Sequence, residues 1–241
     1  MLSFSERARQ VLGSNLTQQQ VRAFQTYSAM LVEWNQKVNL TAITDREQIE
    51  TKHFLDSIST IPIIREFSAK ELIDIGTGAG FPGIPIKILL PDLNVILVES
   101  VGKKADFCRE VIARLGLQGI QVVMGRAEEL GQDPSFRERF NVGIARAVAQ
   151  LDTLAEYLLP FIQLGGRMLA LKGHAGPEEV QNAEYAIQVL GGKVNKLVPV
   201  ILPGICEDRF IIIIDKISST PQKYPRRVGI PTKRGIKKKG E

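Results

Sequence analysis

Apolar positions recur three or four residues apart at Val21, Phe24, Tyr27, Leu31 and Trp34, which places them on one face of an amphipathic helix over residues 17–36. Asn35, Asn39 and Thr41 follow, and short polar side chains of this kind bond nearby backbone and end a helix. A second helical stretch, about 45–60, carries Ile49, Phe54, Leu55 and Ile58 as its apolar set. After about residue 70 the rhythm changes: short β-branched runs alternate with helical patterns of ten or more residues, as in a parallel sheet covered on both faces. Strands are expected at 72–75, 95–98, 121–124, 142–145 and 168–171. Two more, at 194–201 and 210–217, are joined by a Pro-Gly loop too short for a crossover helix, so an antiparallel hairpin should end the sheet.

The composition changes this picture little. The chain has 241 residues, 44% hydrophobic and 24% charged, enough for one large domain and an extension. Its longest apolar runs, such as 95–98 and 211–214, fall far short of the roughly 18–20 residues that cross a bilayer, so no membrane span is expected. The N-terminus lacks the order of a secretory signal and is expected to be the mature one. Cys108 and Cys206 stand alone, with no spacing that suggests a disulfide framework or a metal site, and a reducing cytoplasm fits best.

Charge changes it more. The net charge is +5, but residues 221–241 hold eight basic side chains (Lys223, Arg226, Arg227, Lys233, Arg234, Lys237, Lys238 and Lys239) and one acid, Glu241. The remaining 220 residues carry 23 basic and 25 acidic groups, a net −2. Such a tail is either a solvated, disordered end or an arm for a polyanion, which basic residues bind by releasing condensed counterions. Pro221, Pro225 and Pro231 would keep it extended.

The densest chemistry lies in Asp74-Ile75-Gly76-Thr77-Gly78-Ala79-Gly80-Phe81-Pro82-Gly83, a strand running into glycines and then into a helix. Glycine lets a nucleotide-like ligand lie against the backbone. Gly78-x-Gly80-x-x-Gly83 matches the dinucleotide pattern literally, which keeps an NAD-dependent oxidoreductase open. Asp74 argues for S-adenosylmethionine instead, because a carboxylate there attracts an ammonium and repels a pyrophosphate. Glu99, at the end of the next strand, suits ribose hydroxyls in either case. Glu128, in Gly125-Arg126-Ala127-Glu128, or its neighbouring amides, would meet an adenine edge; an acidic helix start is the equally simple reading.

Taken together, Trp34-Asn35, Asn39-Leu40-Thr41-Ala42-Ile43, His53-Phe54-Leu55-Asp56-Ser57, the glycine loop through Ile84-Pro85, Ala145-Arg146-Ala147 and Leu171-Lys172-Gly173 resemble, in that order, the RsmG/GidB family. The resemblance spans about residues 17–234. It implies a Rossmann-like class I S-adenosylmethionine-dependent methyltransferase fold, an α/β architecture with a seven-stranded, mostly parallel sheet and a C-terminal antiparallel hairpin. The expected parts are a helical extension over 1–66, a methyltransferase domain over 67–218 and a basic tail over 219–241. It further implies transfer of a methyl group from S-adenosylmethionine to N7 of one guanine in the decoding region of 16S ribosomal RNA. The partner would be that RNA or the small ribosomal subunit, and the protein a cytoplasmic monomer. Cofactor contacts are expected from Asp74, Gly76, Thr77, Gly78, Gly80, Phe81, Glu99, Ser100, Val101, Ala127, Glu128 and Arg146. RNA contacts are expected from Asn39, His53, Arg146, Lys172, Arg226, Arg227, Lys233 and Arg234. The tail beyond Arg234 departs from the family's usual ending.

Guanine N7 has a lone pair and no proton, so its alkylation needs no general base. That agrees with a chain holding two histidines and no nucleophile–base constellation, and no catalytic acid, base or metal is expected. Placement then carries the catalysis, because in-line orientation can supply roughly 7–11 kcal/mol of the barrier. N7 is hidden in the deep major groove of an RNA duplex, so the target base should be unpaired or splayed and stacked on an aromatic ring. A non-catalytic RNA-binding assembly factor is the remaining alternative.

Overall fold

The computed structural model describes residues 2–238; Lys239 and Glu241 of the basic tail lie outside them. The elements run α1 (Phe4–Leu12), α2 (Gln18–Asn35), α3 (Arg46–Gln48), a π-helical segment (Ile49–Leu55), α4 (Asp56–Ile58), α5 (Ile61–Glu66), β1 (Glu71–Ile75), α6 (Gly83–Leu89), β2 (Asn94–Glu99), α7 (Gly102–Leu115), β3 (Ile120–Met124), α8 (Ala127–Leu130), β4 (Phe140–Arg146), α9 (Leu151–Leu158), β5 (Ile162–Lys172), α10 (Gly176–Val189), β6 (Gly192–Pro199), β7 (Phe210–Lys216) and α11 (Ile230–Lys233). The seven strands form one sheet in the order β3-β2-β1-β4-β5-β7-β6. The pairs β2/β3, β1/β4 and β4/β5 are parallel, while β5/β7 and β7/β6 are antiparallel, so the expected hairpin closes the sheet. Among the described residues no helix is long and apolar enough to cross a membrane.

The chain divides into two compact units. The first comprises the residues up to Lys70, Thr77–Met124 and Ile201–Cys206. Its core is aromatic: Phe24, Tyr27, Phe54 and Phe107 are at most 1% exposed. Phe54 lies 5.0 Å from Phe24 and 5.3 Å from Tyr27, within the range in which ring quadrupoles attract. Two capping boxes start its first helices, Ser3 with Glu6 and Thr17 with Gln20, each side chain accepting from the other's backbone amide. Helix α1 is absent from the periodicity reading although Phe4, Ala8, Val11 and Leu12 share one helical face and the Ser3-x-x-Glu6 box marks its start. Buried Arg7 ties α1 to the π segment, donating to Thr51 Oγ1 at 2.6 Å and Glu50 at 2.7 Å.

The second unit holds Glu71–Gly76, Gly125–Val200 and the residues from Glu207 onward. Register fixes its strands as Leu72↔Val142, Asp74↔Ile144 and Arg146↔Leu171. Strand β5 begins six residues before the expected position, since Leu164-Gly165-Gly166 reads as a turn yet lies inside the strand, where the pairing with β4 shifts. The basic tail also departs from expectation, because residues 220–235 are neither disordered nor extended. Arg137 donates to the Thr220 carbonyl at 2.7 Å and the Tyr224 carbonyl at 2.8 Å, and the Glu138 carboxylate accepts from the Thr220 amide at 2.7 Å. Tyr224 and Pro231 are buried, and a short helix, α11, forms where an extended arm was expected. The prolines cap turns here; they do not stiffen a free chain.

Candidate functional site

In the first unit the glycine loop turns sharply after β1. Thr77 donates its amide to the Val98 carbonyl at 3.1 Å, and its own carbonyl accepts from Gly80 and Phe81 at 3.0 and 2.9 Å. Gly80 has φ +91°, and a Cβ there would lie 2.4 Å from Ile84 Cδ1 and 2.6 Å from the Tyr27 hydroxyl oxygen. Only glycine fits both the conformation and the space. Tyr27 donates to the Ala79 carbonyl, and the Cys108 thiol points at the Gly78 carbonyl at 3.4 Å.

Glu99 governs this loop. One carboxylate oxygen accepts from the Gly78 amide and the other from the Val101 amide, both at 2.8 Å, joining the glycine turn to the start of α7. The side chain is 5% exposed. A carboxylate offers about four lone-pair positions, so two remain for hydroxyl donors of a ligand. Ser100 and Val101 are exposed beside it. Val101 is 47% and Met124 59% exposed, and Met124 pairs in register with Glu99. The ends of β2 and β3 therefore present an acid flanked by bare apolar side chains, which suits a ribose carrying a flat base. Met124 escaped the sequence reading because a lone methionine at a strand end carries no spacing signal.

His53, on the π segment, stacks on Phe81 with centroids 4.6 Å apart, and Phe81 stacks on Tyr27 at 5.3 Å. The His53 Nε2 lies 2.8 Å from Thr41 Oγ1. Asn35 fixes that loop: its side-chain oxygen accepts from the Leu40 and Thr41 amides at 2.8 and 3.0 Å, and its Nδ2 donates to the Thr41 carbonyl at 2.9 Å. The capping role of the Asn-rich segment thus falls on Asn35, while Asn39 is exposed.

In the second unit Asp74 is wholly buried at the end of β1 and engaged within the fold. Gly76 follows with φ +68°. Ala127 and Glu128 open α8, and both are buried. The Glu128 carboxylate accepts from the Gly229 amide at 3.1 Å, and its charge acts on the Tyr157 phenol. Burial, with the charge of Glu128, pushes the Tyr157 phenol up to about 12. With that side chain committed, an adenine edge would meet the amides of the α8 first turn, which no side chain caps. Arg146 ends β4 half-buried.

Two expected RNA contacts are tied into the protein. Lys172 donates to the Ala149 carbonyl and to Glu179, both at 2.6 Å, and Glu179 also accepts from the Leu151 amide at 2.7 Å. Arg226 grips Glu156, which is 1% exposed, through Nε at 2.9 Å and Nη2 at 2.6 Å. Spacing alone does not separate a cation at a strand end that is free for a phosphate from one that seals a loop. Arg227, Lys233 and Arg234 are exposed.

A family model described as rRNA small subunit methyltransferase G matches residues 20–203. The ribosomal RNA small subunit methyltransferase G of Roseiflexus castenholzii is 52% identical over 224 residues, covering 93% of this chain and 95% of that one. Its namesake from Acetivibrio thermocellus is 50% identical over 221 residues, 92% of this chain and 90% of its own. Among solved structures, the O-methyltransferase from Bacillus cereus in complex with SAH aligns over 88% of this chain and 96% of its own, with a TM-score of 0.59 at 17% identity, a likeness of fold.

Proposed function

The chain belongs to the rRNA small subunit methyltransferase G family, and we propose that within this activity it methylates N7 of one guanine in the decoding region of 16S ribosomal RNA, acting as a cytoplasmic monomer. Membership of a methyltransferase family sets aside the oxidoreductase that the glycine pattern left open. The observation that carries the cofactor reading is Glu99, whose carboxylate holds the loop at Gly78 and the start of α7 at Val101 with lone pairs to spare. That arrangement, with exposed Val101 and Met124, fits the nucleoside part of S-adenosylmethionine.

When bound, S-adenosylmethionine supplies an electrophilic methyl group on a sulfonium. The proposed work of the protein is placement. Glu99 orients the ribose, the amides of Ala127 and Glu128 take the base edge, and Asp74 with the loop Gly76, Thr77, Gly78 and Gly80 shapes the amino-acid end. Phe81 is 5% exposed and stacks on both Tyr27 and His53, so it packs beneath the loop, and the stacking of a splayed base, worth about 1–3 kcal/mol, falls to the part-exposed His53. Arg146 acts at the carboxyl edge of β4, where open α/β sheets bind ligands. A strong positive field at N7 would oppose the cationic product, so Arg146 grips oxygen atoms and does not act as an acid. Arg227, Lys233 and Arg234 take backbone phosphates; Lys172 and Arg226 serve the fold and are left out of that set.

The decisive experiment incubates naked 16S RNA and small subunits with the cofactor and reads the product by mass spectrometry. One N7-methylguanine in the decoding region is expected. A methyl group on another atom or another nucleotide removes the proposed specificity.

A further inference from the structure

The methyl-transfer chemistry leaves a set of part-buried contacts without a role, gathered around α8 and α9. This helix has four residues and no side-chain cap, so it has no stability of its own and depends on tertiary anchors. Those anchors come from residues 220–235. Gly229 donates its amide to Glu128 at 3.1 Å. Gln132, just past α8, donates to the Gln222 and Pro225 carbonyls at 3.1 and 2.8 Å. Arg137 bridges the Gly131 carbonyl at 2.9 Å and the Tyr224 carbonyl at 2.8 Å. Gly131 and Pro225 touch so closely that a Cβ at Gly131 would lie 2.8 Å from Pro225 Cγ.

The anchoring segment is itself nailed to α9. Arg226 holds Glu156 with its amide, at 2.8 Å, and with its guanidinium, and this charge-assisted fork keeps the guanidinium more basic than usual. Thr153 Oγ1 donates to the Pro231 carbonyl at 3.3 Å one turn earlier on α9. Tyr157, next to Glu156, feels the charge of Glu128, which with burial keeps its phenol protonated up to about pH 12. The contacts run from Glu128 to Gly229 and from Arg226 to Glu156, which joins α8 to α9 through the segment 226–229.

We infer that residues 220–235 form a strap that positions the first turn of α8 for the cofactor, with Arg226, Glu156 and Glu128 as positioning residues. The inference rests on the reading above that the Ala127 and Glu128 amides meet the adenine. It gives the basic tail a second task besides RNA: the strap makes the cofactor site rigid. Because coupling between sites is reciprocal, the cofactor must in turn tighten the strap.

The test is calorimetric titration of S-adenosylhomocysteine into the full chain and into Arg226→Ala. The variant should bind roughly 2- to 30-fold more weakly, the range for residues that act on a ligand without touching it. In turnover, its KM for S-adenosylmethionine should rise by a larger factor than its kcat falls, whereas a merely structural loss would lower active enzyme and leave KM alone. In the unaltered chain, saturating S-adenosylhomocysteine should slow trypsin cleavage after Arg227 and Lys233, a measurement that needs no variant to fold. Unchanged affinity in Arg226→Ala with weakened RNA binding would return Arg226 to the RNA and overturn the inference, as would cleavage indifferent to the ligand. A wild-type chain that does not bind S-adenosylhomocysteine would overturn the cofactor reading itself, and the inference with it.

Discussion

Two buried charges show how differently a residue can be spent. Glu99 turns its burial to use, since both carboxylate oxygens hold backbone amides. Glu99→Ala strands those two donors, each costing about 1–3 kcal/mol when left unpaired, and loosens the loop. Calorimetry should show S-adenosylhomocysteine binding about 100-fold more weakly in this variant. Lys216 ends β7, its buried ammonium 2.8 Å from the Leu159 carbonyl and 3.3 Å from Glu138. Burial lowers its pKa from the ordinary 10.5 to about 8. The unfolded chain therefore binds more protons between those pH values, so stability rises as the solution is made more alkaline across that window. Against Lys216→Met, urea denaturation should show the wild type gaining about 3 kcal/mol between pH 7 and 10.5. Sequence reading could find Glu99, because an acid ending a β-branched run stands out. It could not find the bond to Gly78, which joins positions 21 apart, and it read Arg226 and Lys172 as RNA contacts because acceptors set by tertiary contacts leave no mark in the spacing.

Elements were more legible than contacts. Hydrophobic rhythm located the seven strands because each is a short run rich in β-branched or other apolar residues, and it located α2 because one face of that helix is apolar. It failed where the local signal opposed the fold, at Gly165-Gly166 inside β5, and it passed over α1, whose apolar face over nine residues is short. The glycine loop permits a sharp prediction at this scale. In Gly80→Ala the new Cβ needs a left-handed backbone and meets Ile84 and Tyr27, so a loss of at least about 2 kcal/mol is expected in denaturant titration. Cofactor affinity should fall with it, since Tyr27 and Phe81 move together through their stack. The π segment has a related logic: π turns are rare and mark places where one residue interrupts an α-helix. This one carries His53 to Phe81, an arrangement that a regular helix over the same residues would rotate away.

For the molecule as a whole, the sequence located the basic tail but not its division of labour. The strap is folded, whereas Lys237 and Lys238 stand exposed beyond it. Ending the chain after Gly235 should leave S-adenosylhomocysteine affinity unchanged in calorimetry. It should lower the slope of log RNA affinity against log salt by roughly 1–2, since each lost phosphate contact on single-stranded RNA is worth about 0.7. Removing residues 220–235 as well should weaken both ligands. The folded strap has one more consequence, for the first encounter. Its cations are pinned to a body of net charge −2, so a polyanion pulls on one end of the chain and pushes weakly on the rest. A polyanion is therefore drawn first to the strap, and raising the salt concentration weakens that pull.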